Sequence, residues 1–286
     1  MQAWGSVARS EYHALQLMVR KRMSTGILFN INYALSHSLD HASAPERANV
    51  FAPGGSGGEN AGYSGSTINT WDLDQEYANS DFDMRHQFNA SWVVELPFGR
   101  GKAFGSDIPG WADQILGGWE ISGIFRANSG LPIAVVNPRS WPTNWDLEGN
   151  ATCNAPGANV FGLEHGPCPA TQNVKDTVDG RGPNLFADPD AAFALYRHTE
   201  PGLRGPRNNL RADNYVNLDF GIGKSFNMPW EGHRFAFRWD IFNLTNSVYF
   251  DGFTMNLSYG TKGSFGDYVD VLGGPRRMQL SLRYEF

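Results

Sequence analysis

The chain closes on "RRMQLSLRYEF", Arg276 to Phe286, and this stretch decides the fold class. From Met278 every second residue is apolar: Met278, Leu280, Leu282, Tyr284 and Phe286. Gln279, Ser281, Arg283 and Glu285 lie between them. Strict alternation puts one set on each face of a β-strand. The strand ends on a bare aromatic, with no polar tail after it.

The same pattern recurs upstream. Phe235, Phe237, Trp239 and Ile241 alternate with Arg234, Ala236, Arg238 and Asp240. Val216, Leu218, Phe220 and Ile222 alternate with Asn217, Asp219, Gly221 and Gly223. Trp119, Ile121 and Phe125 oppose Glu120, Ser122, Arg126 and Asn128, and Phe88, Ala90, Trp92, Val94 and Leu96 oppose Gln87, Asn89, Ser91, Val93 and Glu95. Near the start, Leu15, Leu17 and Val19 oppose Gln16, Arg20 and Arg22, and Ile27, Phe29, Ile31 and Tyr33 oppose Asn30, Asn32 and Ser36. Seven long strands are predicted, near 11–23, 26–39, 84–97, 117–129, 214–226, 233–246 and 276–286. Soluble strands run about 5–6 residues, whereas a tilted strand crossing a bilayer takes about 9–11. Strand length therefore favours a membrane sheet.

The connections sort by length. Ser24-Thr25-Gly26 is a tight hairpin, and residues 98–116 and 227–232 are of modest length. Residues 40–83, 130–213 and 247–275 are long. Antiparallel strands send alternate connections to opposite ends, so all the long loops share one end. Outer-membrane barrels show this asymmetry: short periplasmic turns and long extracellular loops. The last strand then runs toward the periplasmic interface, where Tyr284 and Phe286 suit an aromatic girdle. The expected fold is all-β: an antiparallel transmembrane β-barrel segment.

Composition agrees with this. The 33 Gly and 16 Pro, 13% aromatic and 18% charged residues fit many strands joined by irregular loops. No stretch approaches the roughly 20 apolar residues of a membrane helix. The net charge of −6, with only Arg20-Lys21-Arg22 as a basic cluster, argues against a nucleic-acid partner. "MQAWGSVARSEYHALQL" has no charged segment followed by an apolar one, so it is not a signal peptide.

At this point the segments "SEYHALQLMVRKRMSTGILFNINYALSHSLD", "DFDMRHQFNASWVVELPFGRGK", "ILGGWEISGIFRANSGLPI", "NLDFGIGKSF" and "FRWDIFNLTN" can be read together. In that order they resemble the C-terminal barrel of TonB-dependent receptors. Within that family they are most similar to the Oar-like subgroup, whose members carry an N-terminal carboxypeptidase-regulatory-like domain. The resemblance implies a share of a barrel of about 22 strands around a plug. The plug, the TonB box and a signal peptide are all absent from this sequence, so the expectation is a fragment of a longer receptor or a start at an internal methionine. It also implies ligand uptake energised through the TonB complex, and a terminal strand read by the barrel-assembly machinery at Met278, Leu280, Leu282, Tyr284 and Phe286. The ligand itself is not legible.

The other expected partners are outer-membrane lipid on the apolar face and the remaining barrel and plug. On the polar face Glu95, Arg126, Asp219, Arg238 and Asp240 are expected to point into the lumen, either touching plug or substrate or forming a solvated, mutually paired wall. Trp141 and Trp145, in the 84-residue loop 130–213, are candidate ligand contacts or packing residues of a loop lid. Cys153 and Cys168, with fourteen residues between them, are a candidate loop disulfide, the alternative being two thiols. His37 and His41 have a spacing that serves metals on helices, but here they fall at a strand end. "FAPGGSGGENAGYSGS" and "GRGKAFG" lack the Gly-Lys-Ser/Thr of a phosphate loop, and there is no Gly-x-Ser-x-Gly or His-Glu-x-x-His. No enzymatic activity, cofactor or metal is expected. Two other readings stand beside transport. One is a small outer-membrane barrel with a structural or adhesion role through its loops. The other, a secreted carbohydrate-binding β domain, conflicts with the apolar stripe on nearly every strand.

Overall fold

The computed structural model describes residues 8–41, 43, 72–137, 150–153, 168–198, 205–228, 230 and 232–286. Seven long strands form one meander: β1 Ser10–Ser24, β2 Ile27–Asp40, β3 His86–Glu95, β4 Trp119–Asn128, β5 Tyr215–Asn227, β6 Arg234–Phe242 and β7 Arg277–Glu285. Each pairs antiparallel with its neighbours in the chain, in the order β1 to β7. The two-residue strand Ala78–Asn79 adds to the end of β2. The shortest long strands, β6 and β7, have 9 residues each, which still suffices to cross a bilayer.

Register fixes the two faces. Asn32, Asn89, Arg126 and Asn217 lie side by side across four strands, and Gly221, Asp240 and Gln279 continue the same polar face. The opposite face aligns Phe29 with Trp92, and Ile222 with Trp239 and Leu280.

The β1–β2 turn is Thr25-Gly26, with φ of 52° and 73°. Two positive φ values give the hairpin geometry that matches strand twist. A β-branched residue is strained there. The Thr25 hydroxyl offsets this by donating to the Ser24 carbonyl at 2.6 Å and accepting from Lys21 Nζ at 3.4 Å.

The sheet does not close. Among the described residues no strand pairs with the outer edge of β1 or of β7, and both strands are exposed almost throughout. One expectation needs correcting. The alternation read through residue 246 stops at Phe242, because Asn243 and Asn246 adopt φ of 52° and turn the chain. In the connection that follows, Met255 and Leu257 are buried in a loop core. "GWADQIL" forms a short helix, α1, Gly110–Leu116. A second, α2, spans Pro189–Ala194, with the Asp188 side chain capping Ala191 N–H.

Trp92 and Gly123 face each other across β3 and β4. A Cβ on Gly123 would lie 2.2 Å from the indole, so the ring occupies the space a side chain would fill. Gly123→Ala is expected to destabilise the sheet by about 1–3 kcal/mol through overpacking. In a Trp92→Ala background the same change should cost little. Urea-unfolding midpoints of the lipid-reconstituted protein measure both; equal costs in the two backgrounds would refute the packing account.

Candidate functional site

The long connections fold together into a cap over one end of the sheet. Its core draws Ile133, Val135, Leu185 and Leu210 from one loop, and Met255, Leu257 and Phe265 from another. Phe186 stacks on Phe265 with centroids 5.6 Å apart, and Phe193 stacks on Tyr259 at 4.8 Å. Pro132–Ile133 pairs with Leu210–Arg211, Thr152–Cys153 with Tyr196–Arg197, and Tyr249–Phe250 with Val271–Leu272. "FNLTN" fastens the cap to β6. Asn243 Nδ2 donates to the carbonyls of Ser247 at 3.0 Å and Gly274 at 3.1 Å, and its Oδ1 accepts from Ser247 N–H at 3.0 Å.

A buried ionic junction ties the cap to the upper end of β2. Arg207 donates to the Asp40 carbonyl at 2.6 Å and the Asp40 carboxylate at 2.5 Å, and reaches Asp81 at 3.4 Å. Arg211 donates to the Asp83 carbonyl at 2.5 Å and also to its carboxylate. Ser38 N–H adds a 2.7 Å bond to Asp83, and His37 Nδ1 lies 3.4 Å from it. Asn208 and Asn79 exchange amide-to-carbonyl bonds of 2.7 and 3.0 Å. Asp40, Asp81, Asp83 and Arg207 are all buried. Burial would raise the Asp83 carboxyl, but the Arg211 hydrogen bond, the Ser38 N–H and the nearby positive charge outweigh it, so the group is held below its ordinary value.

The five charges assigned to the lumen share the polar face by register. Glu95 pairs with Lys102 at 3.0 Å. Arg238 Nε bonds both oxygens of Asp240, at 2.8 and 2.9 Å. Asp219 accepts from Asn217 and from Asn243 N–H, both at 2.9 Å. Arg126 stands between Asn89 and Asn217 on the neighbouring strands. Where the cap meets this face, a cavity of about 700 Å³ opens, lined by Tyr215, Asn217, Asp219, Tyr249 and Arg277. Sequence reading did not find it; its tyrosines come from a strand start and a loop, which alternation does not connect.

Trp141 and Trp145 lie outside the described residues. Cys153 and Cys168, the candidate pair, come together in the cap, with no S–S bond drawn between them. The neighbouring Cys153 thiol and burial push the Cys168 thiol up. His37 and His41 have separate partners: His37 faces Asp83, and His41 Nδ1 accepts from Arg9 N–H at 3.0 Å. Met278, Leu280, Leu282 and Tyr284 share the apolar face of β7, and Phe286 follows, 91% exposed.

Long antiparallel strands, one apolar face, one polar face and a cap at a single end define an outer-membrane β-barrel protein. The chain matches the family model of the outer membrane beta barrel domain over residues 1–279. It belongs to that family. Neither the curated proteins nor the solved structures searched contain a match.

Two outcomes follow from the junction. Arg207→Ala leaves buried carboxylates uncompensated, a change that typically costs about 3–5 kcal/mol, and should expose the cap to added proteinase K while the strands stay protected. Because Asp83 is depressed in the folded state, its contribution is complete above about pH 4 and is lost as pH falls through its lowered value. Cap protection should therefore fall on acidification, and less so in an Asp83→Asn variant already lacking that contribution.

Proposed function

We propose that this chain is the C-terminal barrel section of a TonB-dependent receptor, serving ligand uptake across the outer membrane as a carrier and not as an enzyme. The observation that carries this reading is the open sheet. Strand edges left unpaired in hydrocarbon cost several kcal/mol per polar group, so spanning sheets close. Seven strands with an edge at each side that no described residue pairs fit a share of a larger barrel, whose other strands and plug would complete the wall. The ordered cap over one end, with a polar face below it, suits a gated entry for a ligand. In this reading the lumen charges meet plug or substrate, the TonB complex acts through other parts of the receptor, and the outward residues of β7 are presented to the barrel-assembly machinery.

An antibody against the loop 130–213, used on fractionated membranes of the source cells, tests the proposal. The expected band lies in the outer membrane well above 31.6 kDa. A band at 31.6 kDa in that fraction would overturn it in favour of a small or oligomeric barrel. For the assembly role, deleting Phe286 should lower the amount of protein reaching the outer membrane several-fold; unchanged levels would remove that role.

A further inference from the structure

We propose that α1 and the turn before it dock on the phospholipid surface of the periplasmic leaflet, as a membrane-surface contact built into the connection between β3 and β4. Three observations lead there.

The first is exposure. Trp111 and Ile115, one helical turn apart, are 72% and 61% exposed, and Leu116 is 54% exposed, while Ala112 is turned inward. Phe98 and Phe104, also exposed, sit beside one another with centroids 5.6 Å apart. Five large apolar side chains thus stand on one short connection with nothing over them among the described residues.

The second is rigidity. Gly99 N–H bonds the Phe104 carbonyl at 2.9 Å, and Phe104 N–H bonds the Pro97 carbonyl at 2.9 Å, closing a small loop. The Asp113 carboxylate accepts from Arg100 N–H at 2.6 Å, joining that loop to α1. The apolar cluster is held in place rather than trailing from the sheet.

The third is position. Trp119 and Lys224 belong to the apolar face, since Lys224 is paired in register with Trp119 and Phe237. The Ile115 carbonyl accepts from Trp119 Nε1 at 2.9 Å and from Lys224 Nζ at 2.8 Å, and the Gly117 carbonyl accepts from Lys224 Nζ at 2.6 Å. The C-terminal end of α1 is therefore pinned to the lipid-facing side of the sheet, at the short-turn end. Its apolar cluster continues the lipid-facing surface outward from Trp119 and Phe226. A lysine whose stem lies along apolar surface while its ammonium reaches polar groups is a feature of the membrane boundary, and tryptophan favours the same depth. That continuity selects lipid as the occupant, over a second copy of the chain or a periplasmic protein.

The test uses the full protein purified from outer membranes and reconstituted into phosphatidylethanolamine–phosphatidylglycerol vesicles. Subtracting the emission of a Trp111→Phe variant isolates Trp111. The expected result is loss of most of that emission when the lipids carry bromine near the headgroup end of the chain, and little loss with aqueous iodide. Iodide quenching without bromolipid quenching would overturn the proposal and leave water or a soluble partner on α1. A second measurement needs no variant. With a photoreactive phospholipid in the vesicles, adducts are expected on peptides covering residues 98–116 as well as on the strands. Adducts on the strands alone would also overturn it.

Discussion

Everything in this protein depends on one constraint: inside hydrocarbon a peptide N–H or C=O has no water to turn to. Each must find a partner in the chain. Strand pairing answers this only laterally, so each strand needs a neighbour on both sides. The uninterrupted ladder from β1 to β7 is the solution. Side chains then divide by solvent. The apolar set meets lipid and the polar set meets the interior, which is why an Asn row crosses β2, β3 and β5 in register with Arg126. At the outer edges of β1 and β7 the constraint goes unmet by the described residues. In the receptor reading proposed above, those edges are where further strands add.

The cap obeys a different economy. It stands in water, so its backbone is free to be irregular, and it is held instead by an apolar core and by buried charge. Arg207 and Arg211 reach carboxylates more than 120 residues away in sequence. Desolvating such groups cancels much of their attraction, so buried ion pairs add little net stability. They are demanding about geometry, however. Asp83 accepts from Ser38 N–H and from Arg211 together, so the loop carrying Arg211 has few ways to sit on β2. The junction specifies where the cap rests more than how tightly it holds.

This division explains what the sequence revealed. Alternation marks residues whose environment changes strictly with every step, and a membrane sheet imposes that change. The seven strands and the sorting of the connections were therefore legible. The turn at Thr25-Gly26 was legible too, since few residues tolerate its backbone. The cap was not. Its core residues follow no period, and Asp40, Asp81, Arg207 and Arg211 look like ordinary surface charges until the fold brings them together. Even alternation misled where it ran past its cause: in "FNLTN" Phe242 and Leu244 alternate with Asn243 and Thr245 after the lipid-facing set has ended at Ile241.

The polar residues on the lipid face complete the picture. In β1 they are Glu11, His13 and Lys21, with Leu15, Leu17 and Val19 alternating between the last two. Lys21 reaches the hairpin at Thr25, and Lys224 on β5 reaches the end of α1, so both place their charge at the short-turn boundary. His13 is paired with His37, and His86 accepts or donates a 2.8 Å bond with the Tyr33 hydroxyl, so imidazoles mark the opposite boundary. Eight steps separate His13 from Lys21, about 26 Å along a strand at roughly 3.3 Å per residue. A tilt of about 40° shortens this to about 20 Å of membrane thickness. That is a thin band, and a thinner-than-average bilayer is what the outer membrane provides. The exceptions to the apolar face are therefore not defects in the pattern. They flank the apolar stretch of the strand and bound its span.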